Sequence, residues 1–148
     1  MSWTKLQQKR LVIESEILKK YFRECQWINP NDSSQTQVEW KATTNSGKEY
    51  TLRVRVPEDY PNSQPVLLVV SPFPLRGHDG SKMTGLGVDH SMHTLSPVDG
   101  FVQVCHYRGW SPDLTLYRVF LKGRIWLEAY EGHLRTGNRI DDYLHHMK

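Results

Sequence analysis

The sequence predicts an α+β fold in a single domain covering residues 1–148. Three observations carry this. A helical apolar period occupies the N-terminal stretch, short alternating segments joined by tight turns follow it, and a second helical period begins near Asp113. Helices set apart from a run of neighbouring strands are the α+β pattern, and 148 residues suit one core.

The first helix is expected to be capped by Thr4 and to run to about Phe22. Its core face is read from Leu6, Ile13, Ile17 and Tyr21 together with Leu11, Leu18 and Phe22. Lys5, Lys9, Arg10, Lys19 and Lys20 lie on other faces. "ECQWIN" is a short strand closed by the turn cluster "NPNDSS". "TQVEWKATT" alternates, with Val38, Trp40 and Ala42 on one side, and "NSGK" turns the chain into "EYTLRVRV", whose Tyr50, Leu52, Val54 and Val56 point inward. After "YPNSQP", the run "VLLVV" suits a strand covered on both faces. These segments predict a four-stranded antiparallel meander.

Residues 71–104 show little periodicity and hold His78, His90 and His93, so a long active-site loop is expected there. The apolar "FVQV" at its end predicts that this end is pinned to the core. From Asp113 the helical period returns, with Leu116, Val119, Phe120, Gly123 and Leu127 in a broad band. Ser111 or Asp113 is the expected cap, Pro112 suits a first turn, and Gly137 is a natural stop after about Arg135. "IDDYLHHM" reads as a short last helix or turn. No repeat is visible.

Composition narrows the function classes. The formal net charge is +3 and no block of five or six like charges occurs, so nucleic acid is not an expected partner. The longest apolar run, 66–70, is far too short to span a bilayer. The start "MSWTKLQQKR" lacks an apolar signal region, which predicts a cytoplasmic, reducing environment. Cys25 and Cys105 are isolated and form no C-x-x-C pair.

Cys105 has histidines close to it in sequence and is therefore a candidate nucleophile. Three chemistries are open to it. His90 and His93 at i, i+3, with Cys105 and His106, would offer zinc ligands, but the stretch is not convincingly helical and no familiar zinc spacing occurs, so no metal is expected. A hydrolytic arrangement of Cys105, His90 or His93, and Asp89 or Asp99 can be drawn, without the local signatures of cysteine proteases. The third is an acyl carrier, whose thiol sits at a loop edge among donors that stabilise an oxyanion. A cysteine between a long loop and a capped helix fits that description.

The order of these features resembles the ubiquitin-conjugating (E2) enzymes. The shared pieces are the basic N-terminal helix, the strand "YTLRVRVPEDYPNSQPVLLVV" with Tyr60-Pro61 and Pro65, a histidine, then a cysteine and Trp-Ser-Pro ahead of a helix. The stretch "CHYRGWSPDLTLYRVFLKGRIWLEAYEGHLRTG" is similar to the E2-like proteins of bacterial ubiquitin-like pathways, including antiphage operons, in Tyr107, Trp110, Trp126-Leu127, Tyr130-Glu131 and Leu134-Arg135-Thr136-Gly137. The resemblance spans nearly the whole chain and implies a UBC-like fold.

What the resemblance implies for function is a thioester relay. Cys105 accepts a ubiquitin-like protein from an activating enzyme (E1) and passes it to an amine on a target protein, with no cofactor at this domain. His93 stands at the histidine of the family's His-Pro-Asn. The sequence reads His93-Thr94-Leu95, so the asparagine that stabilises the oxyanion is missing, and Thr94, His90, His106 or backbone N–H groups are the candidate substitutes. The eukaryotic register would place the cysteine position at Gln103; the bacterial register lands on Cys105. Lys5, Lys9 and Arg10 are the implied activating-enzyme surface, with the loop "SPFPLRG" as a second partner surface. The alternative is a non-catalytic variant that only binds ubiquitin-like proteins. A Cys105 exposed beside His93 fits the carrier; one buried under Trp110 fits the binder.

Overall fold

The computed structural model describes residues 1–22, 24–107 and 109–144. Its elements are α1 (Lys5–Tyr21), β1 (Cys25–Ile28), β2 (Gln37–Thr43), β3 (Glu49–Arg55), β4 (Val66–Ser71), a 3-10 turn (Met83–Leu86), β5 (Thr94–Val98), β6 (Phe101–Val104), α2 (Leu116–Thr136) and α3 (Ile140–Leu144). All pairings in the sheet are antiparallel, in the order β1-β2-β3-β4-β6-β5. The architecture is α+β as expected, but the sheet has six strands where the sequence predicts four.

The two added strands lie inside the region expected to be loop. They form a hairpin closed by Asp99 and Gly100, whose φ angles of 52° and 81° are those of an Asp-Gly hairpin turn. Pro97 lies within β5, and β5 is the sheet's edge strand, the position a residue without an N–H tolerates. The chain thus leaves β4, travels to the far edge, and returns to insert β6 beside β4. "FVQV" is pinned to the core as expected, through buried Val102 and Val104.

The helix starts follow side-chain chemistry. Thr4 and Gln7 form a reciprocal capping box at α1. Only Leu11, Glu14 and Leu18 of this helix are buried, while Leu6 and Ile13 are 79% and 56% exposed. The core stripe of α1 is therefore narrower than the sequence period suggests, because the helix is buried along that stripe alone. The α2 cap also differs from expectation: Thr115, not Ser111 or Asp113, accepts from Arg118 N–H. Residues 111–114 form a separate turn, with Leu114 N–H on Ser111 O at 3.0 Å. The physical reason is Arg10, whose guanidinium donates to Pro112 O and Leu114 O, both at 2.7 Å. Gly137 ends α2 in the left-handed conformation, as expected. Residues 145–147 of the last predicted helix lie outside the described residues.

The core lies between the helices and one sheet face. Gly123 brings α2 close to the strands: a Cβ there would lie 2.8 Å from Leu52 Cδ1 and 3.1 Å from Leu67 Cδ2. Leu67, Leu68 and Val69 are all buried, so β4 is covered on both faces as predicted. Among the described residues no helix is long and apolar enough to cross a membrane.

One charged group joins these parts. Glu14 has no exposed surface. It accepts from Tyr60 Oη, from Arg10 Nε at 3.3 Å and from Leu116 N–H at 3.3 Å. Leu116 opens α2, so a carboxylate at this end also meets the positive end of the helix dipole. Burial pushes the Glu14 carboxyl above the ordinary carboxylate range, against the pull of Tyr60, Arg10 and the Leu116 N–H. Tyr60→Phe, which removes one donor, should destabilise the fold by about 1–3 kcal/mol. Glu14→Ala leaves the other groups without their acceptor and should cost more, about 3–5 kcal/mol. Urea unfolding followed by tryptophan fluorescence measures both; an unchanged midpoint in Glu14→Ala would remove this carboxylate as the joint between α1 and α2.

Candidate functional site around Cys105

Cys105 follows the last residue of β6 and is half-buried. Its N–H donates to His93 O at 2.9 Å, one step past the Thr94–Val104 pair that ends the β5–β6 ladder. The hairpin thus brings the predicted nucleophile and the predicted histidine side by side. His93 itself has φ 53°, a left-handed conformation unusual for a residue with a Cβ.

The turn carrying His93 is fixed from several directions. Asp89 and Thr94 exchange backbone hydrogen bonds of 3.0 and 3.1 Å. Asp89 Oδ1 accepts from Ser91 N–H, Ser91 Oγ and Met92 N–H. This Asp89, one candidate orienting carboxylate for a histidine, is spent on its own turn, and these bonds hold its carboxyl below the usual range. From the core side, Trp126 Nε1 donates to Met92 O at 3.0 Å. From α3, Asp141 N–H donates to Ser91 O at 2.9 Å, and Asp141 Oδ1 lies 2.7 Å from His93 Nε2. Trp126 and Tyr130 stack in parallel, and Tyr130 Oη donates to Arg76 O at 2.5 Å.

The segment after the cysteine is pinned by side-chain donors to backbone carbonyls. His106 Nε2 lies 2.6 Å from Pro65 O, so Nε2 carries the proton and Nδ1 is the acceptor nitrogen. Trp110 Nε1 donates to Pro61 O at 2.7 Å and its ring lies against Tyr60, His106 and Tyr107. Arg10 then holds Pro112 O and Leu114 O.

The remaining predicted site residues take distinct places. Thr94 is buried and its hydroxyl donates to Gly87 O at 2.8 Å, so its one proton is already used. His90 is exposed on the same turn as His93. His106 is buried, and burial lowers its pKa; a neutral imidazole there cannot serve as a cation that activates the neighbouring thiol. Lys5 and Lys9 are exposed on α1, whereas Arg10 is half-buried and bonded to Glu14, Pro112 and Leu114. Cys25 sits in β1, at the opposite edge of the sheet and roughly 20 Å away by strand spacing; burial pushes its thiol up to about 12. Among the described residues, no three His, Cys, Asp or Glu side chains gather as a metal site would require.

Asp141 and Trp126 Nε1 are the site contacts that sequence reasoning missed. Asp141 is 48 residues from His93, and no periodic signal links a short C-terminal helix to that turn. The β5–β6 hairpin, by contrast, had a legible signal in Asp99-Gly100 ahead of the apolar run "FVQV".

Comparison with protein-family models, with curated proteins and with solved structures finds no match to this chain.

His106 generates a pH prediction. Its folded pKa lies below the unfolded value of 6.5, so the stability it allows is present above pH 6.5 and is lost as pH falls through the folded value. His106 Nδ1 is buried without a partner among the described residues, so an added proton there finds no acceptor. His106→Gln keeps a donor for Pro65 O and does not titrate. Wild type should lose stability relative to His106→Gln as pH drops from 7 to 5, measured by denaturant unfolding at each pH; a constant difference would exclude this titration.

Proposed function

We propose that the chain is an E2-like carrier with a UBC-like fold, which holds a ubiquitin-like protein as a Cys105 thioester and transfers it to an amine. The observation that carries this is the placement of Cys105: half-buried, at the strand end, with its N–H on His93 O and a pinned segment leading into α2. Trp110 packs on Tyr60 and His106 and donates to Pro61 O, an arrangement that braces the segment rather than one that requires a sealed thiol.

The chemistry divides one acyl transfer into two. In the first step the acyl carbon leaves the thiol of the activating enzyme and bonds to Cys105 Sγ, and the Cys105 proton goes to the departing thiol. In the second an amine attacks the same carbon, the C–N bond forms, the C–S bond breaks, and a proton from the amine ends on the released thiol. Both pass through an oxyanion. With the Thr94 hydroxyl committed to Gly87 O, His106 Nε2 to Pro65 O and His93 Nε2 to Asp141 Oδ1, His90 and nearby backbone N–H groups are the donors left for it.

With an activating enzyme, ATP and the matching ubiquitin-like protein, wild type should form a thiol-sensitive adduct that Cys105→Ala lacks and Cys25→Ala keeps. A gel without reductant reads this; an adduct retained in Cys105→Ala would overturn the assignment.

Lys5 and Lys9 are exposed positive charges in the first turns of α1 on which docking of the activating enzyme would draw. Reversing both to Glu should slow adduct formation mainly through the association rate. The effect should shrink as salt rises from 0.05 to 0.5 M, since exposed charges are screened over about 10 Å at 0.1 M. Arg10 is left out of this test because it holds the start of α2. Unchanged rates at low salt would return Lys5 and Lys9 to the role of solvated surface.

A further inference from the structure

His93 differs from the other histidines near Cys105 in having a carboxylate on its ring. Asp141 Oδ1 is 2.7 Å from Nε2, close enough that Nε2 carries the proton of a strong hydrogen bond. In neutral His93 this leaves Nδ1 as the basic nitrogen, and Nδ1 has no hydrogen-bond partner among the described residues. The histidine's backbone is held as tightly as its ring. Its carbonyl takes Cys105 N–H, Trp126 fixes the preceding carbonyl, and Asp141 N–H fixes Ser91 O. Asp141 therefore clamps the turn through its backbone and the imidazole through its side chain. Both ends of the clamp converge on the residue paired with Cys105.

We propose that Asp141 is a positioning residue for the transfer step: it fixes His93 as the Nε2–H tautomer so that Nδ1 receives the proton of an amine attacking the Cys105 thioester. This rests on the carrier reading above. The substrate class is a primary amine. Its nitrogen bonds to the thioester carbon, the C–S bond breaks, one amine proton passes to Nδ1, and His93 returns it to the Cys105 thiolate. Amide, thiol and neutral imidazole result, and no oxidant or further co-reactant enters.

The test uses the full chain and needs no partner protein. Cys105 is acylated by exchange with a glycyl thioester of mercaptoethanesulfonate, and discharge to free lysine is followed by intact mass. Wild type and Asp141→Asn should load equally. At saturating lysine, discharge should fall about tenfold in Asp141→Asn, with the half-saturating lysine concentration unchanged and partial recovery in Asp141→Glu. His93→Ala and His93→Ala/Asp141→Asn should discharge at the same rate, since a residue acting only through His93 adds nothing once the ring is gone. Nitrogen NMR of the wild-type imidazole should show the proton on Nε2. An Nδ1–H tautomer overturns the proposal whatever the variants do, including the case in which Asp141→Asn fails to fold. Wild-type discharge rates in a folded Asp141→Asn, or a double variant slower than His93→Ala, overturn it while leaving the carrier reading intact. If the wild-type Cys105 thioester reacts with lysine no faster than the free glycyl thioester, the carrier reading fails and the proposal falls with it.

Discussion

Buried backbone carbonyls without a ladder partner must find a donor, and in this protein that constraint builds the site. Residues 72–93 lead from β4 to β5, and residues 109–115 lead into α2. Their carbonyls are taken by long or aromatic side chains: Trp126 for Met92, Tyr130 for Arg76, and Arg10 for Pro112 and Leu114. The loop before β4 is treated alike, with Trp110 on Pro61 and His106 on Pro65. A buried carbonyl left without a donor carries a desolvation penalty of about 1–3 kcal/mol, so the contacts to the buried Met92 and Pro65 carbonyls both stabilise the fold and fix a loop, while the exposed Arg10–Pro112 bond positions its turn. The outcome is that the turn paired with Cys105 and the histidine after it are each held by a side-chain bond.

Glu14 is the point where the helices join this scheme. A carboxylate with no exposed surface is tolerated because Tyr60, Arg10 and the first N–H of α2 all donate to it. Arg10 extends from Glu14 to the carbonyls of the preceding turn, so α1 determines where α2 can begin. Gly123 then allows α2 to approach β3 and β4 at a distance that a methyl group would obstruct. The position of Trp126, and through it Met92 and His93, follows from that approach.

The two histidines beside the cysteine have opposite environments. His106 is buried, neutral, and bonded to a proline carbonyl, which suits a strut. His93 is partly exposed, sits in a left-handed turn, and faces a carboxylate across a strong hydrogen bond. A residue with a Cβ held at φ 53° is strained backbone, and the bonds from Trp126, Asp141 and Cys105 are what hold it there. Sequence adjacency puts His106 beside Cys105, but the backbone bond of the cysteine runs to His93, whose carbonyl accepts the Cys105 N–H.

Local physics made much of the fold legible from sequence alone. Alternation located β2 and β3 and their inward residues, a turn cluster bounded β1 and a continuous apolar run marked β4, Thr4 and Gly137 bounded helices, and the isolated Cys105 between loop and helix marked the candidate nucleophile. These are properties of short windows, where period, cap chemistry and backbone preference act on neighbouring residues. The β5–β6 hairpin was written in the same local code, in Asp99-Gly100 and Pro97, but was obscured by the surrounding prolines and glycines. What only the tertiary structure decided are contacts between residues far apart in the chain: Glu14 with Leu116, Arg10 with Pro112, Trp126 with Met92, Asp141 with His93. The exposed Leu6 and Ile13, and the shift of the α2 cap to Thr115, have the same origin. A helical period shows that a face is apolar, but which part of it is covered, and which carbonyls a side chain reaches, depends on elements that the chain brings together only when it closes the core.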